Sequence, residues 1–577
     1  MPPGPAARTC ARREHNSGGA PHRSIQAQAN RETRYTLGRC QTQQALAPGY
    51  PGAGQPQGQV RPNANPQDLP DVVDSKGMPH TSPRGRAVVL AFTIVALLLL
   101  PMTTDASAGT PAPRQEAAAR LARSVRLINY YPSQHSWQRM WTEWSPNTFD
   151  EDMAKVAATS AGTVRLIVFP YVFGYPTPNA PMAGRLAAAV AIAGKHGLTV
   201  QLTLFDYWGD YHDFTGSRQW TSALVSKYRY DRRIALVEVR NEIDPADPQA
   251  MAWAKDQIGL LHSLLPDTPV TISTNGQLGV PGLVALKKAL NPVTPDLFDL
   301  HYYGEPGLAY GAFRQAVAGA APTPVFVGEA GASTDPTSTT HTGQDGKEAE
   351  QANWYRIVEV AAKAAGLAPV APWTLYDFAV SGAPAGLSIQ EYSFGLYHLD
   401  GTPKKAAGVV GSAFSGTLVA QPYNGRFSEL VDGGARAASW NPWMPSGVVQ
   451  IGTGTGVDGD NALVLSQTKA QNSGVTSWYT IPMEAVRSGQ TWRVSVQARG
   501  TDASGLNDVT LAWFDGSGRW LGNTSSNSLT PGTTKWATLI AIGLPPSGAE
   551  AVQVHLRSSG NGGSVFFSRA TWTVTSG

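Results

Sequence analysis

The chain has 577 residues, of which 60 are glycine and 43 are proline, and charged residues make up 15% of it. This length predicts two or three domains, and the composition is more typical of a loop-rich secreted protein than of a helical cytosolic one. The formal charge is +3, but residues 1–108 carry 11 Lys and Arg against 6 Asp and Glu, whereas the remainder carries 34 against 36. Because the remainder has no excess of positive charge, we expect no nucleic-acid partner.

The N-terminal segment changes character at Met78. Residues 1–77 are rich in Gly, Pro, Gln, Asn and Arg, which predicts a disordered leader. Residues 78–108 hold a short basic segment, the apolar run Ala87–Leu100 and the small residues Ala106–Ala108, a pattern typical of a secretory signal peptide. Its internal position suggests that Met78 is the true start. The alternative is a single-pass anchor, but about 20 apolar residues are needed to span a bilayer. We therefore expect a secreted product with no membrane segment after cleavage.

The two cysteines, Cys10 and Cys40, lie in the leader, so the expected mature chain has no disulfide, thiolate metal site or cysteine nucleophile. No spacing of His, Asp and Glu suggests a catalytic metal, and no Gly-x-Ser-x-Gly motif is present. We therefore expect neither a metal nor another cofactor. Residues 109–122 are interpreted as a linker.

Residues 123–415 alternate short β-rich runs with alanine-rich helical runs. Predicted helices include Met182–Lys195, Met251–Leu264, Gly282–Leu290 and Gln351–Ala365. This rhythm predicts a (β/α)8 barrel, an α/β fold. A doubly wound sheet would require a glycine-rich turn after the first strand, where Asn129-Tyr130-Tyr131-Pro132 stands instead. The predicted strands are Val125–Tyr130, Thr163–Val168, Leu198–Leu204, Ala235–Val239, Val270–Ser273, Leu297–His301, Pro324–Val327 and Pro372–Leu375.

Residues 420–577 lose the helical pattern and show alternating strands separated by Gly, Ser and Asn turns. Seven or eight strands in this length predict an all-β, jelly-roll-like sandwich. No long linker separates it from the barrel, so we expect the two domains to pack directly. The predicted strands are Ala462–Leu465, Gly474–Ile481, Trp492–Ala498, Val509–Phe514, Trp536–Ile542, Ala551–Leu556 and Val565–Trp572.

Two carboxylates follow strands on opposite sides of the predicted barrel. Glu242 follows the fourth strand and Glu329 follows the seventh. Polar residues at the carboxyl ends of barrel strands face the active site, and retaining glycoside hydrolysis needs two carboxyl groups about 5–5.5 Å apart. The alternative is that each is an ordinary loop acid, favoured at Glu242 by the dipole of a following helix.

These residues resemble the clan A glycoside hydrolases and, within that clan, family 5, the cellulase and β-mannanase family. The resemblance covers about residues 123–410 and implies that Glu242 is the acid/base and Glu329 the nucleophile. Asn241, directly before the acid/base, would bind the sugar 2-hydroxyl. The family commonly has a histidine near the end of strand three, where this chain has Phe205-Asp206-Tyr207-Trp208. We interpret Trp208 as a candidate for a flanking sugar subsite.

Four further residues match positions of the same family. The resemblance implies that Arg165 keeps the nucleophile ionised and that His301 and Tyr303 form the His-x-Tyr motif whose tyrosine positions the nucleophile. It also implies that Trp373 is a stacking platform for sugar. Structural alternatives remain open: Arg165 could pair with Glu238, His301 and Tyr303 could be core residues, and Trp373 could fill the top of the barrel.

The predicted sandwich is rich in tryptophan and resembles the jelly-roll carbohydrate-binding modules of secreted glycanases. Such modules stack exposed aromatic rings on sugar faces. The candidates for this role are Trp440, Trp443, Trp478 and Trp520, whereas Trp513 alternates with apolar residues and is expected in the core.

Together these features predict a secreted, monomeric, retaining β-glycoside hydrolase of the endo-β-1,4-glycanase type, acting on a polysaccharide or oligosaccharide. Double displacement would require Glu242 with a raised pKa and Glu329 as a carboxylate beside Arg165. Two alternatives remain: an exo-acting β-glycosidase or transglycosylase of the same clan, and a non-catalytic carbohydrate-binding surface protein.

Overall fold

The structure is a computed structural model that describes residues 113–335, 344–420, 422–443, 447–468 and 474–576. The predicted leader and signal peptide lie outside these residues. All described residues belong to one compact unit. Within them, no helix combines the length and apolar character needed to cross a membrane.

Seven parallel strands within the described residues form one sheet in chain order, and their helices lie outside it. The strands are buried on both faces, as expected where side chains fill a barrel and helices cover it. They lie close to their predicted positions: β1 Leu127–Asn129, β2 Thr163–Ile167, β3 Thr199–Phe205, β4 Ile234–Arg240, β5 Val270–Ser273, β6 Leu297–Tyr302 and β7 Val325–Ala330.

The barrel is closed by a segment that is too irregular to be a strand. Residues 371–375 lie between β7 and β1, where Trp373 N donates to Ala330 O at 2.8 Å and Leu375 N donates to Asn129 O at 3.0 Å. The predicted eighth strand therefore occupies its expected place without a continuous ladder. The (β/α)8 fold class is confirmed.

The barrel helices begin at recognisable sequence signals. The helix Ala180–Lys195 begins after Asn179, whose side chain accepts a hydrogen bond from Met182 N at 3.0 Å, and Pro181 occupies its first turn. The helices are α1 Pro113–Ser124, α2 Arg139–Thr142, α3 Pro146–Ala158, α4 Pro170–Phe173, α5 Ala180–Lys195, α6 Phe214–Val225, α7 Pro248–Leu264, α8 Gly279–Leu290, α9 Ala309–Ala320, α10 Gln344–Ala364 and α11 Lys405–Phe414.

The linker prediction for residues 109–122 is wrong from residue 113 onward, where α1 begins. Ala118 and Ala122 of α1 are buried, and Ala118 belongs to an apolar cluster with Leu127 and Leu297, the first residues of β1 and β6. The helix therefore covers the amino-terminal end of the barrel, because an exposed apolar layer there would be unfavourable.

Two antiparallel sheets form a sandwich, which confirms the predicted all-β domain. The strands of this region are β8 Leu430–Val431, β9 Arg436–Ala437, β10 Trp440–Trp443, β11 Val448–Gly452, β12 Ala462–Ser466, β13 Thr476–Thr480, β14 Glu484–Ala485, β15 Gln490–Thr501, β16 Leu506–Phe514, β17 Trp520–Ser525, β18 Ala537–Gly543, β19 Ala551–Ser559 and β20 Ser564–Ser576. The strand orders of the two sheets are β10-β13-β19-β16-β17, with β14 paired to β19, and β11-β12-β20-β15-β18. Alternating apolar positions meet between the sheets.

Two of the four tryptophans predicted to stack on sugar lie in the sandwich core. Trp440 and Trp478 are 0% and 1% exposed, so their selection as binding residues is wrong. Their alternation along β10 and β13 turns both rings inward. Trp443 and Trp520 are 53% and 58% exposed, and Trp513 is buried as expected.

The barrel and the sandwich pack directly against each other. Arg356 of α10 forms an ion pair with Glu484 of β14, and both side chains are buried. Asn353 Nδ2 donates to Ser439 Oγ at 3.1 Å and to Ile481 O at 3.2 Å. Because these contacts are buried and polar, their geometry fixes how the two domains meet.

Candidate active site

Glu242 and Glu329 meet at the carboxyl ends of the barrel strands. Glu242 follows β4 by two residues, and Glu329 is the penultimate residue of β7. One carboxylate oxygen of each, together with a ring nitrogen of His301, lie within 4.8 Å of one another. The two carboxyl groups are therefore close enough to act on one sugar ring from two sides.

The Glu242 carboxylate is held by three donors. Its Oε1 accepts from Gly276 N and from His301 Nδ1, each at 3.0 Å, and its Oε2 accepts from Asn275 Nδ2 at 3.0 Å. The backbone at Glu242 is left-handed, with φ of 52°, and its N–H donates to Ser273 Oγ at 2.9 Å. The sequence analysis did not select Asn275, although its place two residues after β5 was a signal for the site.

The Glu329 carboxylate lies between a cation, a phenol and an imidazole. Arg165 Nη1 donates to its Oε1, and Tyr303 OH donates to its Oε2 at 3.0 Å. His301 Nδ1 lies 3.2 Å from the same Oε2. The sequence therefore identified three residues that the fold brings onto one carboxylate.

Arg165 also forms the structural ion pair that was the alternative interpretation. Its Nη2 lies 2.7 Å from Glu238 Oε2, and its side chain is fully buried. It further donates to Asn129 Oδ1 at 2.9 Å and to Asn241 Oδ1 at 2.8 Å. Burial alone would lower the pKa of Arg165, but Glu238 and Glu329 raise it well above its ordinary value, so Arg165 remains a cation.

The expected raised pKa of Glu242 is wrong for the ligand-free protein. Burial would raise it, but the hydrogen bond and charge of His301 and the N–H of Gly276 together lower it. Burial would likewise lower the pKa of His301, yet Glu329, Glu242 and Asp299 raise it to about 9. The sequence did not predict the lowered pKa of Glu242 because the distance from His301 to Glu242 depends on the fold.

Asp206 occupies the region where the resemblance predicts a histidine. It is buried, and burial raises its pKa to about 6. Asn241 Nδ2 donates to its Oδ1 at 3.4 Å, while Arg165 holds the other end of the same amide. Asp206 and Arg165 therefore orient Asn241 beside Glu242.

The two aromatic candidates differ in how much surface they expose. Trp373 is largely buried, with edge contacts to Tyr131 and Trp137 at centroid distances of 6.0 and 6.1 Å. Its Nε1 donates to Glu391 Oε2 at 3.4 Å. Trp208 is half-buried, and its ring lies 4.3 Å from that of Tyr175. Both lie at the barrel mouth, but a stacking role stays a prediction for each.

Asp299 is a buried member of the site that the sequence did not identify. It precedes His301 by two residues on β6, so both side chains point to the same side of the strand. Three-residue groups here, such as Glu238, Asp299 and His301, have a spacing that would suit metal ligands. Because Arg165 and His301 already engage these carboxyl groups, we do not identify them as metal ligands.

A scan against protein-family models finds no match, and a comparison with curated proteins finds none. Among solved structures, the chain is similar to the exo-β-1,4-mannosidase Op5Man5 from Opitutaceae bacterium strain TAV5, at 19% identity and a TM-score of 0.42, over 52% of this chain and 60% of that one. It thus spans less than two thirds of that enzyme's length.

Two further solved structures are glycoside hydrolases. One is GH5_18 from Streptomyces cattleya in complex with GlcNAc, at 19% identity and a TM-score of 0.43, over 51% of this chain and 80% of that one. The other is a family 39 glycoside hydrolase from Bacteroides cellulosilyticus WH2, at 12% identity and a TM-score of 0.40, over 78% and 81%. Function is therefore inferred from the geometry of the site.

Proposed function

We propose that this chain is a glycoside hydrolase that cleaves β-linked sugars with retention of configuration. The observation that carries the proposal is the approach of the Glu242 and Glu329 carboxylate oxygens to within 4.8 Å at the barrel mouth. The carboxyl pair of an inverting enzyme is about 6.5–9.5 Å apart, because a water molecule must fit between nucleophilic base and sugar. The short separation favours direct attack by Glu329.

In the first step, a Glu329 oxygen forms a bond to the anomeric carbon while the glycosidic bond breaks. Glu242 gives its proton to the departing oxygen, so the negative charge moves from Glu329 to Glu242. Arg165 and Tyr303 each donate to a different oxygen of Glu329 and fix its orientation. In the second step, water attacks the glycosyl ester, Glu242 takes its proton, and Glu329 is released.

The lowered pKa of Glu242 suits the second of these steps. A carboxylate is needed there to accept the proton of water, and His301 stabilises that carboxylate. The first step needs the protonated acid. A sugar ring that displaces water from the mouth raises the pKa of Glu242, because desolvation disfavours its charged form.

We further propose a β-1,4-linked glucan or mannan as substrate, cleaved internally by a monomeric enzyme. Asn241, oriented by Arg165 and Asp206, would donate to the sugar 2-hydroxyl. The test is hydrolysis of a panel of polysaccharides and chromogenic glycosides by the full chain. Mixed short oligomers at early times support internal cleavage, whereas monomers or dimers alone indicate exo action. No hydrolysis of any member would overturn the proposal and favour a non-catalytic sugar-binding protein.

The stereochemistry gives a second, independent test. Proton NMR during early hydrolysis should show the β-anomer as the first product, before mutarotation. The α-anomer as first product would exclude the double displacement, although it would leave a glycosidase.

The sandwich is a candidate sugar-binding domain in its own right. Trp443 and Trp520 are exposed on the two edge strands of one sheet, β10 and β17. On the same sheet, the ring of Tyr479 stacks on that of His555 at 5.4 Å. Affinity electrophoresis on β-glucan and β-mannan gels should show weaker retardation for Trp443→Ala and Trp520→Ala. The matched control is Ile542→Ala, because Ile542 is equally exposed on the opposite sheet.

Secretion is proposed from residues 78–108 alone. N-terminal sequencing of protein exported by a bacterial host should begin near Gly109. A mature protein that retains Met1 would contradict the signal peptide.

A further inference from the structure

A single imidazole ring contacts three carboxyl groups beneath the barrel mouth. His301 Nδ1 lies 3.0 Å from Glu242 Oε1 and 3.2 Å from Glu329 Oε2. On the other edge of the ring, Nε2 lies 3.8 Å from Asp299 Oδ1. The ring therefore separates the two carboxylates of the proposed reaction from a third carboxyl group deeper in the barrel.

The carboxyl group of Asp299 packs directly against the backbone of Gly328. Its Oδ1 accepts from Gly328 N at 2.9 Å. A Cβ at position 328 would lie 2.1 Å from that oxygen, which no side chain could tolerate without displacing Asp299. Glycine directly before Glu329 is therefore required by the buried carboxyl group of Asp299.

This arrangement is costly for folding. Asp299 Oδ2 and His301 Nε2 are buried and have no hydrogen-bond partner among the described residues. A buried polar atom without a partner loses its hydrogen bonds to water on folding and gains none in return. Groups that remain buried at such a cost are concentrated at functional sites.

Several charged and titratable groups surround the ring. Burial, together with Glu238 and Glu329, raises the pKa of Asp299 to about 7, against the opposing effects of His301 and Arg165. The groups that face His301 from neighbouring strands are Glu238 and Glu242 from β4 and the loop after it, Glu329 from β7, Arg165 from β2, and Asp299 and Tyr303 from β6 and the residue after it.

We infer that Asp299 is a positioning residue that keeps His301 a fixed cation, so that its Nδ1–H moves its hydrogen bond from Glu329 to Glu242 as the negative charge moves. This inference rests on the proposed function. No proton leaves His301 in either step. When Glu329 becomes a glycosyl ester and Glu242 loses its proton, the nearest anion changes from one side of Nδ1 to the other. Hydrolysis of the ester reverses the exchange.

The test is Asp299→Asn, which keeps the side-chain volume and an oxygen that can accept from Gly328 N. We expect kcat to fall about 10- to 100-fold, less than the full 10²–10⁴-fold of an acid/base, with KM changed by less than about twofold. The basic limb of the pH profile of kcat/KM should move down by about one unit, because an opposite charge within about 4–6 Å shifts a pKa by one to three units. Unchanged kcat and an unchanged profile would overturn the inference.

A measurement without substrate separates this inference from the proposed function. In protein labelled with 15N-histidine, the ring signals of His301, assigned by their loss in His301→Gln, should report imidazolium at pH 8. The same ring should titrate at lower pH in Asp299→Asn. A neutral ring at pH 8 in the unaltered protein would overturn the inference even if the variant fails to fold. Absence of all glycosidase activity with an intact titration shift would instead overturn only the proposed function.

Discussion

Buried acids at two places in the barrel show how a neighbouring cation changes the state of a carboxyl group. At the mouth, Glu238 and Glu329 are buried beside Arg165, which forms ion pairs with both. Away from the mouth, Glu359 of α10 is equally buried beside a cavity of about 220 Å³. Its Oε2 accepts from Val370 N at 3.2 Å, and its Oε1 has no partner in the part of the chain that the structure describes.

The difference lies in the charge that each carboxyl group can carry. Burial raises the pKa of Glu359 to about 8, so it is neutral under ordinary conditions. At the mouth, by contrast, Arg165 lowers the pKa of Glu238 against the effect of burial. Burial alone therefore yields a neutral acid, whereas burial with a cation yields a buried carboxylate, and only the second can serve as a nucleophile.

The largest effect should come from exchanging the same side chain in the two settings. Glu329→Gln should lower kcat on the order of 10⁴-fold or more, because an amide cannot form the glycosyl ester. Glu359→Gln, an identical substitution of another buried glutamate, should retain turnover. Single-turnover assays on an activated aryl glycoside measure both. Undiminished hydrolysis by Glu329→Gln would show that the nucleophile is assigned wrongly.

Removing the cation should destabilise the fold. Arg165→Met leaves Glu238 and Glu329 buried without their ion pairs, and breaking a buried pair costs about 3–5 kcal/mol. Urea unfolding followed by tryptophan fluorescence measures the change in the free energy of unfolding. The control is Arg218→Met, because Arg218 is exposed and pairs with Asp256 at the surface. Equal losses for the two variants would show that the mouth network has no special energetic role.

Glu359, which has no cation beside it among the described residues to offset burial, should make the free energy of unfolding depend on pH. The pKa of Glu359 is about 8 in the folded protein against an ordinary value of 4.5, so between these values the unfolded chain releases a proton that the folded chain keeps. The stability contributed by neutral Glu359 is therefore greatest below the lower value and falls as pH rises toward the higher one, by about 2.5 kcal/mol between pH 5 and 7.

Glu359→Gln should remove that decline. The difference between the free energies of unfolding in urea at pH 5 and pH 7 should be smaller by about 2.5 kcal/mol in the variant than in the unaltered chain. An equal pH dependence in both proteins would mean that Glu359 is ionised in the fold.

The smallest expected effect on activity concerns Glu391, an acid at the barrel mouth that forms no ion pair with any described residue. Burial raises the pKa of Glu391 to about 7, with smaller increases from Glu329 and Glu242. Above that pH, the ionised form adds negative charge near both carboxylates. Because that charge raises the pKa of Glu242, whose protonated form the first step needs, Glu391→Gln should leave kcat/KM unchanged at pH 5 and lower it about threefold at pH 8, as expected for a weak interaction between partly screened charges. A loss at both values would indicate that Glu391 binds substrate.

The sequence predicted the barrel strands well because their apolar runs are buried on both faces. It failed where the outcome depended on contacts distant in the chain. The helix α1 was interpreted as a linker, since nothing local shows that the barrel end needs Ala118 and Ala122 to cover it. Alternation separates Trp440 from Trp443 onto opposite faces of β10, but only sheet packing decides which of them is buried.

The same difference between local sequence signals and contacts distant in the chain applies to the site. Glu242, Glu329 and Arg165 were predictable because they lie at or on identifiable strands of a recognisable fold. Asp299 was missed because it lies within β6, where a polar residue gives no sign of which strands surround it. The prediction of a raised pKa for Glu242 was wrong because that pKa is lowered by His301, which is 59 positions away in the chain.

The close approach of Gly328 to Asp299 constrains how this chain can change over time. Replacement of the glycine by any larger residue requires prior loss of the carboxyl group, whereas the reverse order is blocked. In homologous chains, alanine or serine at position 328 should therefore occur only alongside a residue shorter than aspartate at position 299. The steric contact therefore makes the residue allowed at one position depend on the residue at the other.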